Sequence, residues 1–372
     1  MKDPLDLDPE YEEALKATKG KINIDTEPGK QSFIEDFNIK KITERAERLS
    51  YGQDWSSYNK AKTKEKTLSL QLLLDLLEFF PDKVEKRPGR PSILLNDQII
   101  CMFICAYSRF SSRKCISDIE FVRQRKLIER TPHFNSVLNM FGKLSMTNVL
   151  SQLVEISSLP LRMFEEHLSV DSSGFSCSTF QRWFDIRTQE TSKKREWMKA
   201  HLITGAKTNV IASIAITDGT EADCPELIPL VKKASKYFDM KEVSADKAYL
   251  SRDNIWTIAS VGAVPYIPFK TNSVGKPRGM RLWKTMYEYF YNNQEEFMKH
   301  YHQRSNIEST YSMIKRNFGH KLRMRNRTGQ VNEILMKCLC HNLTVLVQEM
   351  FELGLEIDFN KCAEIYFAQK QD

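Results

Sequence analysis

The chain has 372 residues, of which 41% are hydrophobic and 28% are charged, a composition typical of a globular protein. Lys and Arg outnumber Asp and Glu by 55 to 48, an excess that alone does not establish a nucleic-acid partner. The longest apolar run, residues 99–106, is far shorter than the roughly 20 residues of a membrane-spanning helix, so we expect no membrane partner and a cytoplasmic location. The eight cysteines form no CxxC pair, and we expect Cys101 and Cys105 to be reduced core thiols.

The first 165 residues consist of a polar, irregular segment followed by a segment with helical patterns. Residues 1–60 are polar and irregular, and we interpret them as an N-terminal extension. Apolar residues at helical spacing in residues 66–80 predict a helix that ends at Pro81. The Pro/Gly/Arg-rich residues 86–92 indicate an extended linker, with an arm that binds the DNA minor groove as the alternative. Further helical patterns follow, so we predict an all-helical domain over residues 61–165.

The pattern then changes to short apolar runs that end in turn residues. Such runs predict a strand at residues 168–175, two strands joined by a turn at 201–219, a fourth strand at 242–249 and a fifth at 264–269. Helices are predicted between the later strands, and residues 285–318 are predicted to form one long helix. The order β-β-β-α-β-α-β-α indicates an α/β fold with a mixed five-stranded sheet flanked by helices.

Two aspartates lie at the ends of predicted strands. Asp171 follows apolar residues of the first strand, and Asp246 follows those of the fourth. Ligands of such sheets bind near strand ends, so the two carboxylates could face one cleft. Taken singly, each aspartate is better explained as a carboxylate that caps a turn.

The predicted long helix carries an acid among cations. At about 100° per residue, four side chains fall within a stripe about 60° wide: Tyr301, Arg304, Glu308 and Lys315. An apolar stripe that is suited to packing on the sheet lies beside it and contains Ile307, Tyr311, Ile314 and Phe318. Charged residues at these spacings are equally expected on an ordinary solvated helix face, and periodicity alone leaves both interpretations open.

The spacing Tyr-x2-Arg-x3-Glu-x6-Lys of that stripe resembles the Y-R-E-K signature of the DDE transposases of bacterial and archaeal insertion sequences. The segments VDSSGF and SADKAYLS resemble the two aspartate segments of this family, in the same order. The resemblance covers about residues 85–350. It implies an RNase H-like catalytic domain over residues 166–350, with the helical region 61–165 as a DNA-binding domain and residues 351–372 as a C-terminal tail.

The resemblance also implies the chemistry. Asp171, Asp246 and Glu308 would be the catalytic carboxylates and would hold two Mg²⁺ or Mn²⁺ ions, because hard cations prefer carboxylate oxygens. Two such ions, about 3.5–4 Å apart, activate the attacking oxygen and stabilise the leaving oxygen in phosphodiester cleavage. The implied function is DNA transposition: cleavage of element-end DNA and strand transfer into target DNA. The implied setting is a homodimer on double-stranded DNA, associated with the nucleoid in the prokaryotic cytoplasm.

Two acid-free basic tracts, residues 270–284 and 312–327, flank the glutamate. Beside a nuclease helix, such tracts are expected to contact DNA phosphates. The alternative function is a domesticated transposase that binds DNA without cutting it, against which the intact set of three carboxylates argues. The expected DNA-binding residues are Tyr301, Arg304, Lys315, Arg316, Lys321, Arg323 and Arg325.

Overall fold

The computed structural model describes residues 54–80, 92–109, 111–177 and 197–369. Most of the predicted extension and of the predicted linker therefore lies outside the described residues. The described residues fall into two compact units, one formed by residues 275–296 and the other by the rest of them. Within the described ranges, no helix has the length and apolar character needed to cross a membrane.

Up to residue 161, the described residues form helices joined by turns and loops. The helix α1 begins at Trp55 rather than at residue 66, because Asp54 accepts hydrogen bonds from the backbone N–H groups of Ser56 and Ser57 and caps the earlier start. A short 3₁₀ turn at Leu159–Leu161 closes this region. Its helices are α1 (Trp55–Leu77), α2 (Leu95–Ser108), α3 (Ser112–Gln124), α4 (Phe134–Phe141) and α5 (Leu144–Ser158).

The strands form one mixed five-stranded sheet, which confirms the predicted fold class. The strands are β1 (His167–Ser176), β2 (Trp197–Gly205), β3 (Ile211–Asp218), β4 (Glu242–Ala245) and β5 (Val264–Tyr266). Their order in the sheet is β3-β2-β1-β4-β5. The first three pair antiparallel through β2, whereas β1, β4 and β5 run parallel to one another. The central strand β1 therefore has an antiparallel neighbour on one side and a parallel neighbour on the other.

Helices follow the later strands, but the single long helix predicted over residues 285–318 is wrong. That segment is divided at Asn293, which is a poor helix former, and again by a 3₁₀ turn at His302–Arg304. The helices of this part of the chain are α6 (Leu227–Ala234), α7 (Arg252–Ser260), α8 (Arg281–Asn292), α9 (Gln294–Tyr301), α10 (Ser305–Phe318), α11 (Arg327–Glu352) and α12 (Phe359–Ala368).

The helix α11 lies at the centre of the larger unit. It packs against α1 and α5 on the helical side and against β2 and β3 of the sheet. Its buried Asn342 accepts a hydrogen bond from the Ile211 N–H at 2.9 Å and donates to the carbonyl of Val154 at 3.1 Å. This one amide thus joins α5, β3 and α11, and the helical region and the sheet share one hydrophobic core.

One expectation about the cysteines is also wrong. Cys105 forms a disulfide with Cys115, with their Cα atoms 5.6 Å apart, and so links α2 to α3. Cys101 is a buried thiol, as expected. The spacing of Cys101 and Cys105 on one helix does not indicate this disulfide, because Cys115 lies on the next helix and the turn between α2 and α3 brings it to Cys105.

Candidate active site

The parallel pairing of β1 with β4 brings the two aspartates together where β4 ends, beside the middle of β1. Val170 pairs with Ala245 in register; Asp171 is the next residue of β1, and Asp246 is the first residue after β4. Each aspartate also makes a local backbone contact, as a turn-capping carboxylate does. Asp171 accepts a hydrogen bond from the Ser172 N–H at 2.8 Å, and Asp246 accepts one from the Ala248 N–H at 3.0 Å.

Glu308, on α10, is connected to Asp171 through an arginine. The Nη1 atom of Arg304 donates to Oδ2 of Asp171 at 2.9 Å, and its Nη2 atom donates to Oε1 of Glu308 at 2.8 Å. The second contact is a helical i,i+4 pair. The Asp171 side chain is 22% exposed and that of Glu308 is 61% exposed. One guanidinium therefore connects a half-buried strand carboxylate to an open helix carboxylate.

A tyrosine that the sequence placed only in the apolar stripe holds α10 on the sheet. The hydroxyl of Tyr311 lies 2.8 Å from the carbonyl oxygens of both Asp171 and Ala200, so it donates to β1 or to β2. The side chain is buried, at 5% exposed. Since Tyr311 lies one helical turn after Glu308, this contact fixes the height of the glutamate above β1.

A buried carboxylate holds in place the end of α9, which leads to Arg304. Glu242 at the start of β4 lies 2.9 Å from Nδ1 of His167 and 2.8 Å from Nδ1 of His300. Burial alone would raise the pKa of Glu242, but the hydrogen bonds from the two histidines lower it. The contact with His300 attaches α9 to the sheet, so the 3₁₀ turn that follows delivers Arg304 to Asp171.

The electrostatic surroundings of Asp171 are mixed. Burial raises the pKa of its carboxyl, and the negative charges of Asp246 and Glu308 act in the same direction. The Ser172 N–H and the Arg304 guanidinium oppose this shift without cancelling it. The pKa of Asp171 is therefore raised in the folded chain.

The other residues of the predicted stripe lie on either side of this centre. Tyr301 is half-buried, with its ring centroid 5.7 Å from the Arg304 guanidinium, and burial raises its pKa. Lys315 donates to the hydroxyl of Ser173 on β1 at 2.6 Å, and burial lowers the pKa of its ammonium group.

Tyr249 was not predicted from the sequence. It is 1% exposed, and burial together with the charges of nearby carboxylates raises its pKa.

The predicted basic residues beyond α10 lie on a loop that runs beside the end of β1. Gly319 ends the helix with φ +86°, a conformation that favours glycine. The next residues hydrogen-bond to β1: Ser176 donates to the carbonyl of His320 at 3.2 Å and accepts from Leu322 N–H at 2.9 Å. Four cationic side chains are exposed at the end of α10 and along this loop, those of Arg316, Lys321, Arg323 and Arg325.

The three carboxylates suit a hard cation in their chemistry, and two of them already share one positively charged side chain. Asp171 and Glu308 share the Arg304 guanidinium, and carboxylate oxygens are the donors that Mg²⁺ prefers. Within the described ranges, however, no three His, Cys, Asp or Glu side chains are gathered closely enough to hold an ion. Arg304 therefore lies where two of the predicted ligands would meet a metal.

Comparison with known proteins places this site in a recognised domain type. Residues 162–343 match the family model described as the transposase DDE domain, which is just under half of the chain. Among solved structures, the chain is similar to the piggyBac transposase in a cryo-EM structure of its synaptic complex with hairpin DNA, at 11% identity and a TM-score of 0.40, over 82% of this chain and 81% of that one. No curated protein gives a significant match. The part of the chain that contains Asp171, Asp246 and Glu308 thus matches the transposase DDE domain.

Proposed function

We propose that this chain is an insertion-sequence transposase, which cuts DNA at the ends of its element and joins those ends to target DNA. The match to the transposase DDE domain supports transposition as the reaction. The observation that carries the proposal is that Asp171 and Glu308, 137 positions apart, bind one guanidinium beside Asp246. Three carboxylates, on the central strand, after its parallel neighbour and on α10, would provide the hard oxygen donors that this reaction requires.

In this proposal Asp171, Asp246 and Glu308 would hold two Mg²⁺ or Mn²⁺ ions, whose chemistry would be to activate the attacking oxygen and stabilise the leaving one. The remaining groups of the chain bind and orient the DNA. Arg304 would exchange its carboxylate partners for a DNA phosphate, because its planar fork binds either group through two N–H donors. Tyr311 would keep α10 in place during that exchange, since its bond is to backbone carbonyls and not to a carboxylate.

A second candidate is a domesticated protein that binds DNA without cutting it. One observation favours it: Arg304 is ion-paired with two of the three carboxylates, Asp171 and Glu308, where a bound metal ion would compete with it. The two candidates predict different behaviour of Asp171 and Glu308 in the presence of divalent ions, so one set of experiments separates them.

The test is incubation of the purified chain with linear duplexes that carry the DNA from either side of its coding sequence. We expect cleavage and strand transfer in Mg²⁺ or Mn²⁺ and none in EDTA. In Ca²⁺ we expect binding without turnover, because its longer and looser coordination positions the attacking oxygen poorly. Cleavage should fall by roughly 1,000-fold or more in Asp171→Asn, Asp246→Asn and Glu308→Gln, which retain shape but lose charge.

The matched control is Glu364→Gln, which removes an exposed carboxylate on α12 and should cleave like the parent. Full activity of any one carboxylate variant removes that residue from the site. Cleavage in EDTA contradicts the metal-dependent mechanism. Specific binding of the end duplexes with no cleavage in any divalent ion supports the non-cutting candidate instead.

A further inference from the structure

A cleft of about 750 Å³ lies between the helical region and the segment that follows α10, wholly within the larger compact unit. Arginines from two distant parts of the chain form its rim. Arg109 and Arg113, at the turn from α2 to α3, line one wall, whereas Arg323 and Arg325, on the loop after α10, line the other. All four side chains are exposed. Phe318 and other apolar side chains contribute to the lining between the walls.

The two walls are hydrogen-bonded to each other. The Nη1 atom of Arg109 donates to the carbonyl of Arg316 at 2.9 Å, at the end of α10. The Nη2 atom of Arg323 donates in return to the carbonyl of Arg109. Arg109 itself has φ +56°, at the end of α2, which turns its backbone toward the opposite wall. These bonds fix the cleft as a feature of the folded chain and give Arg109 and Arg323 a structural role as well.

The cleft has a positive net charge. Among the described residues that line it, Glu333 is the one carboxylate, and it lies 3.1 Å from the ammonium group of Lys337. The same carboxylate also accepts a hydrogen bond from the Arg323 N–H at 2.7 Å. Glu333 is therefore paired with the buried Lys337 and with the loop backbone. The charge at the rim of the cleft comes from the four arginines.

We propose that this cleft binds the sugar–phosphate backbone of the DNA duplex, about four to five base pairs from the phosphate that is cut. The inference rests on the proposed function. Ten residues of α10 separate Glu308 from Phe318, which is about 15 Å at the helical rise. Base pairs rise about 3.4 Å each, so a duplex that follows α10 reaches the cleft after that number of pairs.

The nature of the lining favours a polyanion over a small anion. The guanidinium groups are spread along two walls of an open cleft, and Lys315 and Arg316 lie on α10 between the cleft and Glu308. Each guanidinium fork can bind one phosphate through two parallel hydrogen bonds. Arg113 lies over the ring of Phe134 at 4.7 Å, which orients the guanidinium plane through a cation–π contact. Arg113 and Arg325, whose guanidinium groups take no part in the bonds between the walls, can thus each bind a phosphate, one from each wall.

The test is a measurement of affinity against duplex length, made in Ca²⁺ so that cleavage does not interfere. Duplexes from the DNA beside the coding sequence would extend from about two to about ten base pairs beyond the mapped cut site. We expect the parent to gain affinity sharply once the extension passes about five base pairs. The double variant Arg113→Gln/Arg325→Gln should lose that gain, bind the longest duplex about tenfold or more weakly, and show a salt slope smaller by about two.

The control is Lys236→Gln/Lys361→Gln, which removes two exposed charges from other parts of the larger unit and should bind every duplex like the parent. Arg113 and Arg325 are chosen because no wall-to-wall hydrogen bond of the cleft depends on their side chains, and equal melting temperatures confirm that the variant folds. A double variant with the length dependence of the parent overturns the inference, and so does an equal loss on short and long duplexes. If the parent still cuts end DNA in Mg²⁺, only the cleft assignment has failed. A parent that neither binds nor cuts end DNA contradicts the proposed function itself.

Discussion

The two halves of α10 have different surroundings. The first half, beginning beside Arg304, carries Glu308 and Tyr311 and contacts Asp171 on β1. The second half carries Lys315 and Arg316 and leads to a loop with exposed cations and no acid as far as Arg327. In the proposed function, the first half would serve metal chemistry and the second would hold DNA.

This difference shows how one short element can serve two functions. A helix rises about 1.5 Å per residue, so its two ends lie far enough apart to contact the cut phosphate and a phosphate several base pairs away. The rigid connection between the halves keeps these two positions in a constant relation. Substitutions in the two halves should therefore affect different steps of the reaction.

The largest difference should be between substitutions in the two halves: one should change the cleavage rate and the other the Kd for DNA. Glu308→Gln in the first half should lower the single-turnover cleavage rate by roughly 1,000-fold or more while leaving the Kd for end DNA unchanged. The double variant Lys315→Gln/Arg316→Gln in the second half should raise the Kd by about tenfold and leave the rate at saturating DNA within about tenfold of the parent. Gel-shift and cleavage titrations measure both quantities, and similar changes of rate and Kd in the two variants would remove the distinction between the halves.

A smaller effect should follow from loosening the first half of the helix. Tyr311→Phe removes the hydroxyl that binds the carbonyls of Asp171 and Ala200, and leaves buried acceptors without that donor. We expect a loss of about 1–3 kcal/mol in the free energy of unfolding. Cleavage should also fall, because Glu308 loses its fixed height above β1, while DNA affinity stays near that of the parent. Denaturant unfolding gives the stability, and an unchanged unfolding midpoint would show that the hydroxyl does not hold α10.

The smallest effect concerns the charge of Asp171. Its pKa in the folded chain is raised, by burial and then by Asp246 and Glu308, so the folded state binds this proton more tightly than the unfolded state. Stability should therefore decline as the pH rises from the unfolded pKa of about 3.9 through the raised folded value. Asp171→Asn lacks this decline and should melt at or above the parent temperature at neutral pH in chelator.

Melting curves in chelator from about pH 4 to neutral pH test that sign, and the advantage of the variant should shrink toward the acid end. A variant that melts clearly below the parent at neutral pH would show that the bond to Arg304 outweighs the burial of Asp171. Added Mg²⁺ should stabilise the parent and not the variant, because an ion that binds only the folded state raises its stability.

The sequence predicts the sheet, because apolar runs with turn residues specify strands locally. It places Asp246 correctly at the end of β4, but Asp171 lies in the middle of β1, which continues to Ser176. The sequence does not predict the second division of the 285–318 segment, at His302–Arg304, which directly follows the buried contact of His300 with Glu242 from a distant part of the chain. The pairing of Arg304 with two carboxylates is likewise a tertiary contact. Its i,i+4 spacing to Glu308 was visible in the sequence, but the position of Asp171 beside it was not.

Residues that hold the site together give weaker signals than residues that carry charge. Tyr311 has the pattern of a core residue, and only its hydroxyl contacts distinguish it from the apolar residues around it. Arg109 lies at the end of a helix more than 200 positions before Arg323, so no local pattern connects the two walls of the cleft. The disulfide between Cys105 and Cys115 was missed for the same reason, at shorter range.

Whether Asp246 is a metal ligand beside Asp171 and Glu308 can be tested by changing which metal ions the side chain at this position prefers. Asp246→Cys replaces a hard oxygen donor with a soft sulfur donor, which favours thiophilic ions such as Mn²⁺ or Cd²⁺ over Mg²⁺. We predict that the Asp246→Cys protein cleaves end DNA poorly in Mg²⁺, and that Mn²⁺ or Cd²⁺ restores cleavage by about 100-fold relative to Asp246→Ala under the same conditions. The parent should show no comparable preference. Equal cleavage by Asp246→Cys and Asp246→Ala in every ion would contradict metal ligation at this position.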